Sequence, residues 1–340
     1  MKRKRMGITG LPENYLMRTV TLDDVEAVVA LVNACSQKTL GKDVCEVSEY
    51  RNDWQSPTMN MGTDLRVVLS PEERIVGYAG VWDPQPHVQI YGFGYVHSAH
   101  RGRGIGTSLA NWIETRASES IALAPAGTQV KVSQRAYGAD ISSQQLLKEQ
   151  GYTLARHWFR MLIELDASLP APQLPDGLTI RTFDRERDLK SLIHADREAF
   201  RDHWGYVEHP FEEDWKEWMH WIETDPDYDP TLWFLVMDGT EIAGFSICAP
   251  KTAEDPAAGY IHMLAVRRAW RQQGVGLALL HHTFGEFQRR GKKRCALGVD
   301  ATSLTGATRL YEKAGMHVQR QSVSYEKMLR EGEDLSTQTL

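Results

Sequence analysis

Two stretches of this chain place residues able to do chemistry at a fixed spacing: Arg101-Gly102-Arg103-Gly104-Ile105-Gly106-Thr107 and Arg271-Gln272-Gln273-Gly274-Val275-Gly276-Leu277. Each follows an apolar run and opens a segment of helical periodicity. A strand that ends in such a turn and enters a helix leaves the helix's first N–H groups unpaired and pointing outward, with partial positive charge behind them. That is an anion cradle. Gly274 and Gly276 lack a Cβ, so an anion can approach the main chain, and Arg271 adds positive charge beside it; a diphosphate fits. Walker A requires G-x-x-x-x-G-K-[ST], and no lysine follows either turn. The Rossmann fingerprint opens a series of βαβ units, whereas here helices precede a hairpin.

A second constellation lies between Phe200 and Pro230, where ten acidic residues face only Arg201 and Lys216, a formal charge of −8. Trp204, Tyr206, Trp215, Trp218 and Trp221 are interleaved with them. Aromatic faces and carboxylates together favour a cationic ligand through cation–π attraction and charge pairing. The same pattern fits a solvated acidic face over tryptophans buried in a core, and the sequence leaves both open. Cys35, Cys45, Cys248 and Cys295 are far apart and not in C-x-x-C spacing, which argues for reduced thiols rather than a metal site or disulfides.

The elements that must hold these residues occur twice. Leu11-Pro12-Glu13-Asn14 through Arg18-Thr19 matches Leu174-Pro175-Asp176-Gly177 through Arg181-Thr182, the glycine turns match, and Leu146–Gly151 matches Leu310–Gly315, all in one order. The reading is a first domain over 1–165, a Pro-rich linker over 166–177, a second domain over 178–330 and a frayed tail over 331–340. In the second copy the periodicity predicts helices over 188–200 and 211–223, then strands over 232–237 and 241–248 about the Asp238-Gly239 turn. A strand over 260–266 follows, with a helix over 274–290, a strand over 294–299 and a helix over 305–314 closed by Gly315. The first copy offers strands over 65–69, 75–82, 89–96 and 128–132.

With 340 residues, two domains are the natural reading, and 42% apolar with 25% charged residues is an ordinary globular composition. A net charge of −6 gives no broad footprint for nucleic acid. No apolar run approaches the ~20 residues that span a bilayer. Met1–Arg5 is basic but lacks the apolar stretch of a signal peptide, so the cytoplasm is the expected location.

Arg/Gln-x-x-Gly-x-Gly/Ala after a strand, with Leu310-Tyr311-Glu312-Lys313-Ala314-Gly315-Met316 about forty residues on, resembles the GNAT superfamily of N-acetyltransferases, in a tandem, mycothiol synthase-like layout. The resemblance implies an α/β fold of mixed α+β type: two tandem domains, each a mixed, mostly antiparallel central sheet flanked by helices. It also implies acetyl-CoA as co-substrate and no metal. The diphosphate would lie on the N–H groups of Gln272 to Leu277, and the pantetheine arm along the strand near Leu264 and Val266, where two strands splay apart. Val96 and Arg101 to Thr107 offer the same work in the first copy, and Ser303 stands near the family's usual asparagine. Tyr311 resembles the tyrosine that serves as general acid at the coenzyme sulfur; its counterpart in the first copy is Leu147, which holds no proton to give. The second copy would then turn over, while the first binds coenzyme or stabilises the pair.

Simple strand alternation puts residues 260, 262, 264 and 266 on one face, which makes His262 a candidate base, acting directly or through water, with Tyr260 the other possibility. An imidazole of pKa about 6.5 suits that task, because an alkylammonium holds its proton up to about 10.4. The acceptor reads as a small-molecule amine, probed by Trp204, Tyr206, Trp215 and Trp218. A non-catalytic acetyl-CoA sensor and a protein N-terminal or lysine acetyltransferase remain alternatives. Acyl chain length stays open, as does the choice between monomer and homodimer; neither membrane nor nucleic acid is an expected partner.

Overall fold

A computed structural model describes residues 10–166 and 168–339; the basic start Met1–Arg5 lies outside them. The first repeat runs β1 (Leu16–Thr19), α1 (Val25–Leu40), α2 (Val47–Trp54), α3 (Met61–Asp64), β2 (Leu65–Leu69), β3 (Ile75–Trp82), β4 (Gln89–Val96), α4 (Ile105–Glu119), β5 (Val130–Tyr137), α5 (Ile141–Glu149) and β6 (Thr153–Glu164). The second runs β7 (Leu178–Thr182), α6 (Arg185–Phe200), α7 (Phe211–Thr224), β8 (Phe234–Asp238), β9 (Glu241–Ala249), β10 (Ala258–Val266), α8 (Val275–Arg289), β11 (Arg294–Asp300), α9 (Ala307–Lys313) and β12 (His317–Arg330). This is the mixed, mostly antiparallel α/β arrangement read from the sequence, made twice.

By contacts the chain forms two units whose limits differ from those of the repeats. One takes the chain up to Ala155 with Met219–Asp225 and Ser322–Leu335; the other takes Arg156–Trp218, Pro226–Gln321 and the chain from Ser336. The first unit orders its sheet β1-β2-β3-β4-β5-β12 and the second β6-β11-β10-β9-β8-β7. The outermost strand of each therefore comes from the other repeat: Ser322–Arg330 of β12 pair with β5, and Trp158–Glu164 of β6 pair with β11. Cuts at 165 and 178 follow the repeat in the sequence but not the packing. The tail is not frayed. The Gln129 N–H donates to Glu333 O and the Glu333 N–H to Gly127 O in the first unit, while in the second the Gly205 N–H donates to Thr337 O and the Thr337 N–H to Tyr206 O.

The same local devices set both repeats. Asp24 accepts two bonds from the Arg18 guanidinium at 2.7 Å, and Asp188 does so from Arg181 at 2.5 and 2.9 Å, fixing the strand-to-helix entry. Helices α5 and α9 end at left-handed Gly151 and Gly315, each with the paired C-terminal bonds of a Schellman turn. Leu279, Leu280, Phe284 and Phe287 of α8 are fully buried. Phe287 lies over Gly259 of β10, where a Cβ would stand 2.3 Å from the ring. All four cysteines are buried and free. Among the described residues no helix is long and apolar enough to cross a membrane.

Candidate active site

In the second unit the turn after β10 puts Gln272 at φ 60° and Gly274 at φ 89°, and Gly274 caps α8. The first bond back from α8 is Ala278 N–H to Gly274 O. Among the described residues, no acceptor faces the N–H groups of Gln272, Gln273, Gly274, Val275, Gly276 and Leu277. Left-handed residues alternating with others curl these amides into a concave nest at the positive end of the helix. A Cβ on Gly274 would meet nothing within 4 Å, so its mouth is open, and glycine is needed there for φ. Gly276 differs from expectation. A Cβ there would stand 3.0 Å from Leu310 Cδ2, so its bareness lets α9 sit against the first turn of α8.

Arg271, expected to add positive charge beside the cradle, is held by several acceptors. Its guanidinium donates to Asp202 at 2.5 Å, to Ala199 O at 3.0 Å and to Val266 O at 3.0 Å. Arg268 donates to Asp202 as well. Burial would raise the Asp202 carboxyl, but the two guanidinium bonds hold it below the usual carboxylate range. The pair braces the turn to the end of α6.

Beyond the turn the strands part. β10 and β11 pair in parallel from Ala258↔Arg294 only to Ile261↔Leu297, although β10 continues to Val266, leaving that edge of Leu264 and Val266 without a strand partner; toward β9 they pair with Ser246 and Gly244. A bulge falls at His262. It shifts the alternation, so Tyr260 shares a face with Met263 and Ala265, and Leu264 and Val266 lie on the other. The four-residue face read from the sequence is thus broken. His262 is exposed, its ring edge-on to Tyr260 at 4.9 Å, and the Arg160 guanidinium lies over Tyr260 at 4.9 Å.

Tyr311, one residue past Leu310, is 7% exposed, and burial pushes its phenol up to about 12. Ser303 shares a hydroxyl contact with Thr305 at 3.1 Å in the turn before α9.

The first unit repeats the cradle with Gly102 at φ 74° and Gly104 at φ 81°, and the N–H groups of Gly102, Arg103, Gly104, Ile105, Gly106 and Thr107 likewise face no described acceptor. Gly106 packs on Leu146 as Gly276 does on Leu310. Arg101 is again braced, by Asp140 at 3.1 Å, and the Val96 carbonyl accepts from Cys35 Sγ at 3.4 Å. β4 pairs with β3 without a bulge, Leu147 is buried, and Gly10 O stands 3.3 Å from where a Gly104 Cβ would be.

The acetyltransferase (GNAT) family model matches residues 35–138 and 189–316, that is, both cradles. The chain belongs to this acetyltransferase family. It is an acyltransferase, and acetyl-CoA is the family's co-substrate. A mycothiol acetyltransferase of Thermobispora bispora is 27% identical over 87% of this chain and 93% of its own, and one of Streptomyces scabiei is 30% identical over 73% and 75%. A GCN5-related N-acetyltransferase from Sphaerobacter thermophilus has a TM-score of 0.79 at 34% identity, covering 96% of this chain and all of its own. A tandem GNAT protein from the clavulanic acid biosynthesis pathway has a TM-score of 0.70 at 14% identity, over 94% of this chain and 100% of its own, which shows the fold.

Of the residues expected to face the acceptor, Trp218 is 6% exposed and packs edge-on against Trp233 at 5.8 Å, so it belongs to the core and not to a binding wall. Trp215 is at the surface beside Phe211. Trp204 covers the Arg156 guanidinium at 4.2 Å and donates Nε1–H to Gln338 at 2.8 Å. The acidic stretch is largely neutralised from outside: Arg290 bonds Asp229 at 2.6 Å, Lys251 lies 3.3 Å from Asp227, and Arg197 pairs with Asp214. Composition counted charges within one segment, whereas folding brought their partners from elsewhere. Reading the sequence missed Asp196 of α6, whose Oδ1 is buried with no hydrogen-bond partner. The signal available was its place opposite Val32 in the repeat.

Proposed function

We propose that the second copy moves an acetyl group from acetyl-CoA to a primary amine of a small molecule by direct attack. The unpartnered amides of Gln272 to Leu277 and the open mouth at Gly274 suit the coenzyme's diphosphate, and the unpaired edge of Leu264 and Val266 suits its extended arm. The amine nitrogen attacks the thioester carbonyl carbon, the C–S bond breaks, and the Tyr311 hydroxyl donates its proton to the departing sulfur. The amine's proton leaves to His262, directly or through water. Tyr311 carries this reading. Leu310 seats it against the cradle helix, and its raised pKa keeps the proton in place at any working pH.

The first copy binds coenzyme or stabilises the pair without turnover. Its counterpart of Tyr311 is Leu147, and Trp54, Tyr78, Phe93 and Tyr95 pack with α1 into a continuous core over its sheet. The name of the relatives, mycothiol acetyltransferase, favours a small-molecule acceptor over a protein. Trp204, Tyr206 and Trp215 remain the residues proposed to face it. Tyr311→Phe tests the assignment: thiol release should fall by about 10²-fold or more while coenzyme binding by calorimetry persists. Retained turnover would remove Tyr311 from the chemistry.

A further inference from the structure

The two repeats differ where they ought to be alike. Counting from the paired Asp24 and Asp188, the buried positions of α1 and α6 coincide: Val25 with Leu189, Val28 with Leu192, Val29 with Ile193 and Cys35 with Ala199. Val32, 1% exposed in the first core, then corresponds to Asp196. On the strand beneath, Tyr95 corresponds to Ala265 through the match of Val96 with Val266. The second unit thus exchanges a core valine for a carboxylate and removes a phenol's volume below it.

Asp196 Oδ1 and Tyr206 Oη are both buried without a hydrogen-bond partner. They share neighbours. Arg197 and Asp214 act electrostatically on both, and His209 on Asp196. Arg197 is committed to Asp214 and to His209 O, and His209 lies 2.5 Å from Asp214. Burial, with Asp214 beside it, pushes the Asp196 carboxyl up to about 7. A carboxyl oxygen buried without a hydrogen bond in a helix that packs on the sheet costs stability, and the first copy shows that valine fits the position.

We infer that Asp196 forms a subsite for a second, cationic group of the acceptor, an ammonium remote from the nitrogen that is acetylated. An ammonium donates to the unsatisfied Asp196 Oδ1, and its charge relieves the repulsion between Asp196 and Asp214. Oδ1 is closed off from solvent here, so the ligand enters as the irregular segment 201–210, whose His209 carbonyl holds the neighbouring Arg197, moves aside. This inference rests on the amine-acetylating reading above and names its specificity.

The test uses the full chain with 1,4-diaminobutane and butylamine as probes, in rate and calorimetric experiments. The wild type should prefer the diamine in kcat/KM. Asp196→Asn and Asp196→Val should cut that preference on the order of ten- to hundredfold, through KM, as expected for losing one charge-assisted bond. Asp196→Val should also melt higher than wild type. Preference for the diamine kept in the variants, or a lower melting temperature in Asp196→Val, overturns the subsite. If neither amine is turned over, the amine-acetylating reading fails by itself. The subsite is then decided by calorimetry: diamine binding lost in Asp196→Asn supports it, and absence of diamine binding to wild type overturns it.

Discussion

Gly276→Ala makes the division of labour between the copies measurable. The added Cβ would stand 3.0 Å from Leu310 Cδ2 and 3.6 Å from Val266 Cγ2. Carbon pairs rest at about 3.5–4.0 Å, and Leu310 must give by a few tenths of an ångström. Leu310 and Tyr311 are neighbours on α9, and the phenol moves with it. Overpacking of this kind costs about 1–3 kcal/mol in stability. A misplacement approaching 1 Å at a catalytic group costs up to about 10²-fold in kcat. Gly106→Ala is a matched control, because its Cβ would meet Leu146 Cδ2 at the same 3.0 Å. The two variants should show similar melting shifts, while kcat, followed by thiol release, falls at least about tenfold further in Gly276→Ala. Adding Leu310→Ala to Gly276→Ala should recover part of that loss. Equal kcat losses at equal melting shifts would refute catalysis by the second copy alone.

Asp202→Asn strips Arg268 and Arg271 of their shared carboxylate and should lower stability by about 1–3 kcal/mol at neutral pH. The wild-type carboxyl titrates below its ordinary 3.8, so its contribution is full above that value and fades as pH falls through the lower one. Melting curves of wild type and variant should converge on acidification, and a gap that widens contradicts the brace. His262→Ala should lower kcat/KM by about 10²-fold near neutrality and less at alkaline pH, where the amine sheds its own proton; a pH-independent loss would exclude a base role. Cleaving the connector between 166 and 177 should leave the two pieces associated on gel filtration, since each carries a strand that belongs to the other unit's sheet; separation into folded halves would contradict the exchange.

Both cradles, the hairpin at Gly239 and the strands over 65–69, 75–82 and 89–96 were legible because each is set by neighbours in sequence: glycine where φ is positive, apolar alternation, a cap. The repeat added the contrast of Tyr311 with Leu147. By contrast, β12 went unseen, because a strand such as His317–Arg330 that alternates polar residues on both faces carries no core signature. The carboxylate that holds Arg271 was not legible either, since Asp202 stands sixty-nine residues away. The bulge at His262 depends on register with β9, and the unsatisfied Oδ1 of Asp196 depends on what its neighbours already bind. Local rules fix what a residue can do with its immediate neighbours. Which partner it meets is decided by strand pairing and helix packing across long loops, and there the tertiary structure alone settled that a cation became a brace, a tryptophan became core and one carboxyl oxygen was left without a hydrogen bond.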